Sequence, residues 1–358
     1  MDFQIINSSS PLWQQVLKEL RYDFYHLPKY LELEARRSRA TPEAFVVIED
    51  EKIFFVPYLL RSLNNIFNQE LSEQETFDII SPYGYPGILL SKSAQNLQFV
   101  NLAITKLLQV CQERNVCSAF LRLHPILNEG LDKLCQPGLC RINGETVSID
   151  LRLSEAEIWN QTQANHRNKI NRCKRAGLTA KIVQFKDNYI DEFIAVYQET
   201  MDKVEASKSY YFDKEYLVEL SEALGENLHL CLVEFDDQII SAGLYTEYNR
   251  IVQAHLGGTK TNFLKLSPTN LETDYTRQWA KERGNEFLHL GGGVGGSKDS
   301  LYNFKAGFSK QRHTFLTIRL VIDEKKYYEL VKIRAKSLKT EVEILLITDF
   351  FPAYRSPQ

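Results

Sequence analysis

One order of elements occurs twice along this chain of 358 residues, and that recurrence constrains the fold more than any single motif does. In the second half LHLCLVEF, QIISAGLYTEY and IVQAHLGGT are β-branched or alternating runs. The turns Asp236-Asp237 and Tyr248-Asn249-Arg250 separate them, so they read as a three-strand meander. A helix follows with Ser267 as N-cap, Pro268 at its first position and Lys281, Arg283 and Gly284 at its end. The strand EFLHL comes next and, after a loop, the long strand QRHTFLTIRLVID. In the first half EAFVVIED, KIFFVPYLLRS and FDIISPYGYPGILL lead into a helical pattern over 94–114, a strand over 118–124 and a closing strand over 141–151. Helical patterns precede both meanders, at 28–37, 188–206 and 214–224, with Ile190, Phe193, Tyr197, Met201 and Val204 on one stripe.

The fold expected is therefore α/β, with mixed (α+β) sheets in two tandem domains, 1–150 and 151–358. The capping box Ser154 with Glu157 opens a helix over 154–176, ended by Gly177, that joins the two. A last helix is expected over 324–346, after which Pro352 and Pro357 bar regular structure.

Two domains suit the length, since single cores stop growing at roughly 250 to 300 residues. A net charge of −3 offers no general attraction to phosphate polymers, so DNA is not expected as a partner. No segment has the basic flank and apolar core of a leader or the roughly 18 apolar residues of a membrane span, so a cytoplasmic location is expected. The six cysteines are scattered without C-x-x-C or histidine at ligand spacing, so no metal site and no disulfide framework is expected.

Nine of the 17 glycines fall between positions 257 and 307, five of them in 291–296 directly after EFLHL. Glycine crowds where the backbone needs positive φ or close approach. The loop GGGVGGSKDSLYNFKAGF enters a short helix with Asp299 as N-cap and Gly307 as C-cap. With Leu301, Phe304 and Phe308 turned to the core, Lys305 is left along the rim, placed to stabilise a developing oxyanion. The dinucleotide and P-loop patterns both fail here: the next helix is too short, and Ser297-Lys298 reverses the order a P-loop requires.

A basic helix carries Arg167, Lys169, Arg172, Lys174 and Arg175 without an acid among them, a candidate for phosphate groups and equally a solvated face. Lys203, Lys208, Tyr210 and Tyr211 cluster between two helices, where the tyrosines would stack on a substrate and the lysines bind its anionic part. Tyr83 and Tyr85 flank Gly84 in SPYGYPG, lining a groove or closing a turn. No G-x-S-x-G elbow and no H-E-x-x-H occurs, so a covalent or metal-assisted mechanism has no support. Direct attack by an amine on an activated acyl group needs only positioning and oxyanion stabilisation.

The series HRNKINRCKRAG, FIAVYQETMDKVEASKSYYF, AHLGGT, LSPTNL and LGGGVGGSKDSLYNFKAGF resembles the Fem-type aminoacyltransferases and their uncharacterised relatives, proteins with two GNAT-like halves. The resemblance is close over 154–323 and looser before it. It implies two GNAT-like domains and acyl transfer to an amine. The co-substrate implied is aminoacyl-tRNA or acyl-CoA, with no tightly bound cofactor. Phe304-Lys305 match the family's F-K pair, whose lysine steadies the reacting centre. The family's T-x-x-R, which binds precursor phosphate, is here Thr200-x-x-Lys203, and the family's aromatic Tyr is His255. Gly292 and Gly293 fall on the substrate side. Ser267 and Thr269, at a helix start suited to pyrophosphate or a carbonyl oxygen, are expected to hold the donor with Arg167, Arg172 and Arg175.

The function expected is an N-acyltransferase acting on a small-molecule amine or a cell-wall (peptidoglycan) precursor, with tRNA as one partner. The alternative is a non-catalytic RNA- or tRNA-binding module with a decayed acyl site, and a steep salt dependence of binding separates the two.

Overall fold

Apolar residues that run unbroken along a strand call for a sheet covered on both faces, and each half of the chain supplies such strands. The computed structural model describes residues 2–64 and 75–357. Among these the strands are β1 (Asp2–Asn7), β2 (Thr41–Glu49), β3 (Lys52–Ser62), β4 (Phe77–Ile80), β5 (Leu89–Leu90), β6 (Val116–Arg122), β7 (Cys140–Asp150), β8 (Thr179–Gln184), β9 (Leu228–Phe235), β10 (Gln238–Tyr248), β11 (Ile251–Thr259), β12 (Phe287–Gly291) and β13 (Arg312–Val321).

The chain divides into two compact units, Met1–Asn143 with Thr314–Gln358, and Gly144–His313. In the first the strand order is β1-β2-β3-β4-β6-β13, antiparallel except for the parallel step β4–β6, and β5 adds to β3. In the second it is β7-β12-β11-β10-β9-β8, antiparallel except for the parallel step β12–β11. Order and sense coincide, as the repeated pattern implies.

The linear split at residue 150 is corrected by an exchange of closing strands. β7, expected to finish the first half, pairs with β12 of the second, whereas β13 pairs with β6 of the first, Thr317 to Val321 against Arg122 to Ser118. The helix Glu324–Leu338 then buries Tyr327, Leu330 and Val331 with Cys117 and Leu63. Lys339 in left-handed conformation ends this helix, so the single helix expected over 324–346 is two, the second being Val342–Ile347. The tail is not a loose end: the Tyr354 hydroxyl meets Ser118 Oγ at 2.7 Å and donates to Asp78 at 3.1 Å, and Arg355 Nε donates to Asp78 at 2.6 Å.

In the first unit Phe54, Val56 and Tyr58 pack against Phe99, Val100, Ala103 and Leu107 of the helix Leu97–Glu113, and Trp13, Leu17 and Leu31 cover Val46 and Phe55. In the second, Val147, Ile149, Val252 and Leu288 pack on Ile158, Ile170, Ala280, Tyr302 and Phe308. Burial of each such side chain stabilises by about 1.5 to 3 kcal/mol. The helix expected over 154–176 is broken into Glu155–Gln161 and Ala164–Arg175. The Thr162 hydroxyl donates to the Phe308 carbonyl at 3.1 Å and the Gln163 amide to the Gly307 carbonyl at 2.7 Å, and both bonds require the chain to leave the helix there.

Candidate active site

The second unit gathers most of the chemistry. β12 ends at Gly291 with φ of 78°, a left-handed conformation that glycine adopts at no steric cost. A Cβ at Gly292 would lie 2.8 Å from the Glu145 carbonyl, and one at Gly293 would lie 2.2 Å from that of Ser297, so the loop is pressed against β7 and against itself. Asp299 accepts from the amides of Tyr302 at 2.8 Å and Val294 at 2.9 Å, capping the helix Ser300–Ala306 as the sequence implies. The Tyr302 hydroxyl donates to Glu145 at 2.8 Å, and Lys298 pairs with the same carboxylate at 2.7 Å. A loop rich in glycine is thus tied down at both ends.

On this base Lys305 Nζ donates to the Gly292 carbonyl at 2.7 Å. The direction differs from the expected one: Leu301 is 43% exposed and Tyr302 takes the core position, so Lys305 turns inward rather than along the rim. Burial pulls its pKa from 10.5 down to about 8, against a small opposing pull from Asp299. Among the described residues no carboxylate pairs with it. Behind the same helix His166 Nε2 donates to the Phe304 carbonyl at 2.9 Å, and its ring packs edge-on against Phe308 at 4.6 Å. Burial lowers the pKa of His166, although the Phe304 bond works the other way. Gly307 ends the helix with φ of −70°, not in the left-handed form expected of a C-cap glycine.

β11 and β12 stay paired for three residues only, Ile251–Gln253 against Phe287–His289, and then part. At the last pair His289 Nδ1 meets Gln253 Oε1 at 2.6 Å and Nε2 meets Thr146 Oγ1 at 2.8 Å, a buried bridge over three strands. His255 lies two residues beyond on β11, half-buried. The bridge was missed from sequence, although polar residues on the alternate positions of apolar strands are its only trace.

The helix Pro268–Glu282 starts without a side-chain cap, because Ser267 sits at φ of 61° instead of the extended N-cap conformation. Arg172 reaches this turn, donating to the Lys265 carbonyl at 2.8 Å and to Ser267 Oγ at 3.4 Å. Arg167 is engaged by the Trp159 and Thr162 carbonyls, and Lys174 by Asp274 at 3.1 Å, while Arg172, Lys174 and Arg175 are all exposed. Thr269 Oγ1 lies 2.9 Å from Thr259 Oγ1. Thr200 Oγ1 accepts from the Thr259 amide at 2.8 Å, which makes this threonine a brace for the end of β11. Lys203 is exposed, Tyr211 donates to Asp202 at 2.8 Å, and the Tyr210 carbonyl accepts from Tyr197 at 2.8 Å.

Tyr83 and Tyr85 belong to the first unit. Tyr83 accepts from the Tyr30 hydroxyl at 2.9 Å through its carbonyl, and Tyr85 packs edge-on against Phe315 at 5.1 Å. Gly84, at φ of 96°, has the Tyr25 ring where a Cβ would stand. An open depression of about 400 Å³ lies elsewhere on the second unit, lined by Glu155, Trp159, Lys174, Asp274 and Arg277; Arg277 pairs there with both acids.

Residues 162–305 match the acetyltransferase (GNAT) domain family. Together with the strand order repeated in the two units, this gives the chain a GNAT-type fold. The structure of FemX superposes with a TM-score of 0.68 over 93% of this chain and 100% of its own, at 12% identity. L-PGS from Bacillus licheniformis follows at 0.56, covering 89% and 93% with 14% identity. The C-terminal domain of a putative lysylphosphatidylglycerol synthetase from Agrobacterium fabrum gives 0.55, covering 84% and 88% with 13% identity. No curated protein matches in sequence. Among the described residues no helix is long and apolar enough to cross a membrane, and no group of side chains is arranged to hold a metal ion.

Proposed function

We propose that the chain transfers an acyl or aminoacyl group from acyl-CoA or aminoacyl-tRNA to an amine, with Lys305 as the catalytic cation. The observation that carries this is the Lys305 ammonium, drawn into a water-poor setting by the Gly292 carbonyl at 2.7 Å without a carboxylate to neutralise it. Such a charge is worth most where an oxyanion develops as the amine nitrogen adds to the acyl carbonyl. The step forms the C–N bond and breaks the bond from acyl carbon to the sulfur or oxygen of the donor. The amine loses a proton and the leaving group gains one. Thr269 and Ser267, at the start of Pro268–Glu282, are assigned to the donor, and His255, Lys203, Tyr210, Tyr211, Gly292, Gly293 and Phe304 to the acceptor side.

Arg167 and Arg172 answer protein carbonyls, which leaves Arg175 as the one of the three assigned to the donor's phosphates. The acceptor class proposed is a primary amine of a metabolite or cell-wall precursor. Incubation with acetyl-CoA and with charged tRNA separately, each with a panel of amines and read by mass spectrometry, tests the proposal. Loss of acyl group to an amine from one donor supports it, and stability of both donors overturns it.

A further inference from the structure

Glu272 is 4% exposed and faces no cation in the interior of the second unit. Its partners are two hydroxyls: the Tyr245 hydroxyl donates to Oε1 at 3.0 Å, and Ser241 Oγ lies 2.7 Å from Oε2, accepting the carboxyl proton when Glu272 is protonated and donating to Oε2 when it is ionised. β10 makes room for the carboxyl at Gly243, where a Cβ would stand 2.0 Å from Oε1. Burying a carboxyl without a compensating charge is costly, and such groups concentrate at functional sites.

The carboxyl does not stand alone. Ser241 Oγ lies 3.0 Å from Thr259 Oγ1, and Thr259 Oγ1 lies 2.9 Å from Thr269 Oγ1. In both of these bonds either hydroxyl is able to donate. Ser241 is fully buried, Thr259 is 6% exposed and Thr269 is half-buried, so the file runs from the interior to the first turn of Pro268–Glu282. We propose that Glu272, Ser241, Thr259 and Thr269 form a proton conduit that delivers the carboxyl proton to the leaving group of the donor.

The inference rests on the acyl-transfer reading for its purpose but not for its chemistry. As the acyl carbon–donor bond breaks, its electron pair goes to the sulfur or oxygen, which takes the Thr269 proton. Thr259, Ser241 and Glu272 refill the vacancy in turn, and the proton released by the amine returns to Glu272 along the same hydroxyls from the Thr269 end. A buried acid suits this task because burial raises its pKa from 4.5 to about 7, against a smaller lowering by Ser241 and Tyr245. The titratable groups facing it are Cys231 from β9 and Tyr245 from β10, both pushed up by burial and hence neutral. Thr259 faces it from β11 and Thr276 from its own helix, and neither titrates.

The conduit is tested without substrate by photoreleased protons and time-resolved infrared detection of the carboxyl band that Glu272→Gln removes. Thr259→Val is expected to slow protonation at least about tenfold and Thr259→Ser to restore it. Thr269→Val, at the half-buried end, is expected to slow it likewise should the interior variant fold poorly. Equal rates in wild type and both valine variants would overturn the conduit. With acetyl-CoA and amines, wild-type transfer is expected to fall as pH rises through about 7, and Glu272→Gln to lack that limb. An identical limb in Glu272→Gln and Thr259→Val would overturn the leaving-group role. Slowed protonation in a protein that consumes neither acetyl-CoA nor charged tRNA would uphold the conduit and remove the acyl-transfer reading instead.

Discussion

The imidazole of His166 stands where a side chain at position 307 would have to go: a Cβ on Gly307 would come within 2.5 Å of ring atoms Cε1 and Nε2. The glycine is required by this contact and not by its backbone angles. Gly307→Ala is therefore expected to destabilise by about 1 to 3 kcal/mol through overpacking. Urea unfolding in wild-type and His166→Ala backgrounds checks it, because the penalty should shrink when the ring is gone.

Lys305→Ala is expected to reduce turnover by about 10² to 10³ and, because the Gly292 carbonyl loses its donor, to lower stability by about 1 to 3 kcal/mol. The ammonium exists below a pKa of about 8, so wild-type turnover should fall as pH rises through that value. An activity that persists undiminished in Lys305→Ala, with whichever donor the wild type uses, would remove this residue from the chemistry.

Glu272 also makes stability depend on pH. Its folded pKa of about 7 exceeds the ordinary 4.5, so between those values the folded chain holds a proton that the unfolded chain has released. The stabilisation is fully present below about 4.5 and disappears as pH rises through about 7, a difference of about 3 kcal/mol. Denaturant midpoints for Glu272→Gln should lack this slope.

In the first unit Asp78 is 1% exposed and serves Arg61 at 2.8 Å and Arg355 at 2.6 Å as well as Tyr354. Asp78→Ala leaves two partly buried guanidinium groups without their carboxylate, and a loss of about 3 to 5 kcal/mol is expected by thermal or chemical unfolding. A loss below about 1 kcal/mol would show that water replaces the carboxylate there.

The meanders, the helix starting at Pro268 and the cap at Asp299 were legible because period and punctuation are local properties of the chain. The outermost strands β1 and β8 were not, since DFQIIN and TAKIVQ are short and their alternation is weak. Nor was the exchange of β7 and β13: each reads as a good strand, and nothing in its own residues says which neighbour it will pair with. The inward turn of Lys305 escaped for the same reason. Leu301 and Tyr302 are both plausible core residues, and only the carboxylate of Glu145, far away in sequence, decides between them.

The placement of β13 has a consequence for biosynthesis. The first unit to leave the ribosome lacks its closing strand β13 until Thr314 and the residues after it have been made, whereas the segment between Gly144 and His313 is complete in itself. Maturation therefore need not follow the usual N-to-C order of domains. The nascent first unit must wait with β6 uncovered while the later one closes, and a ribosome stalled shortly before Thr314 would hold a chain whose older part is the less finished.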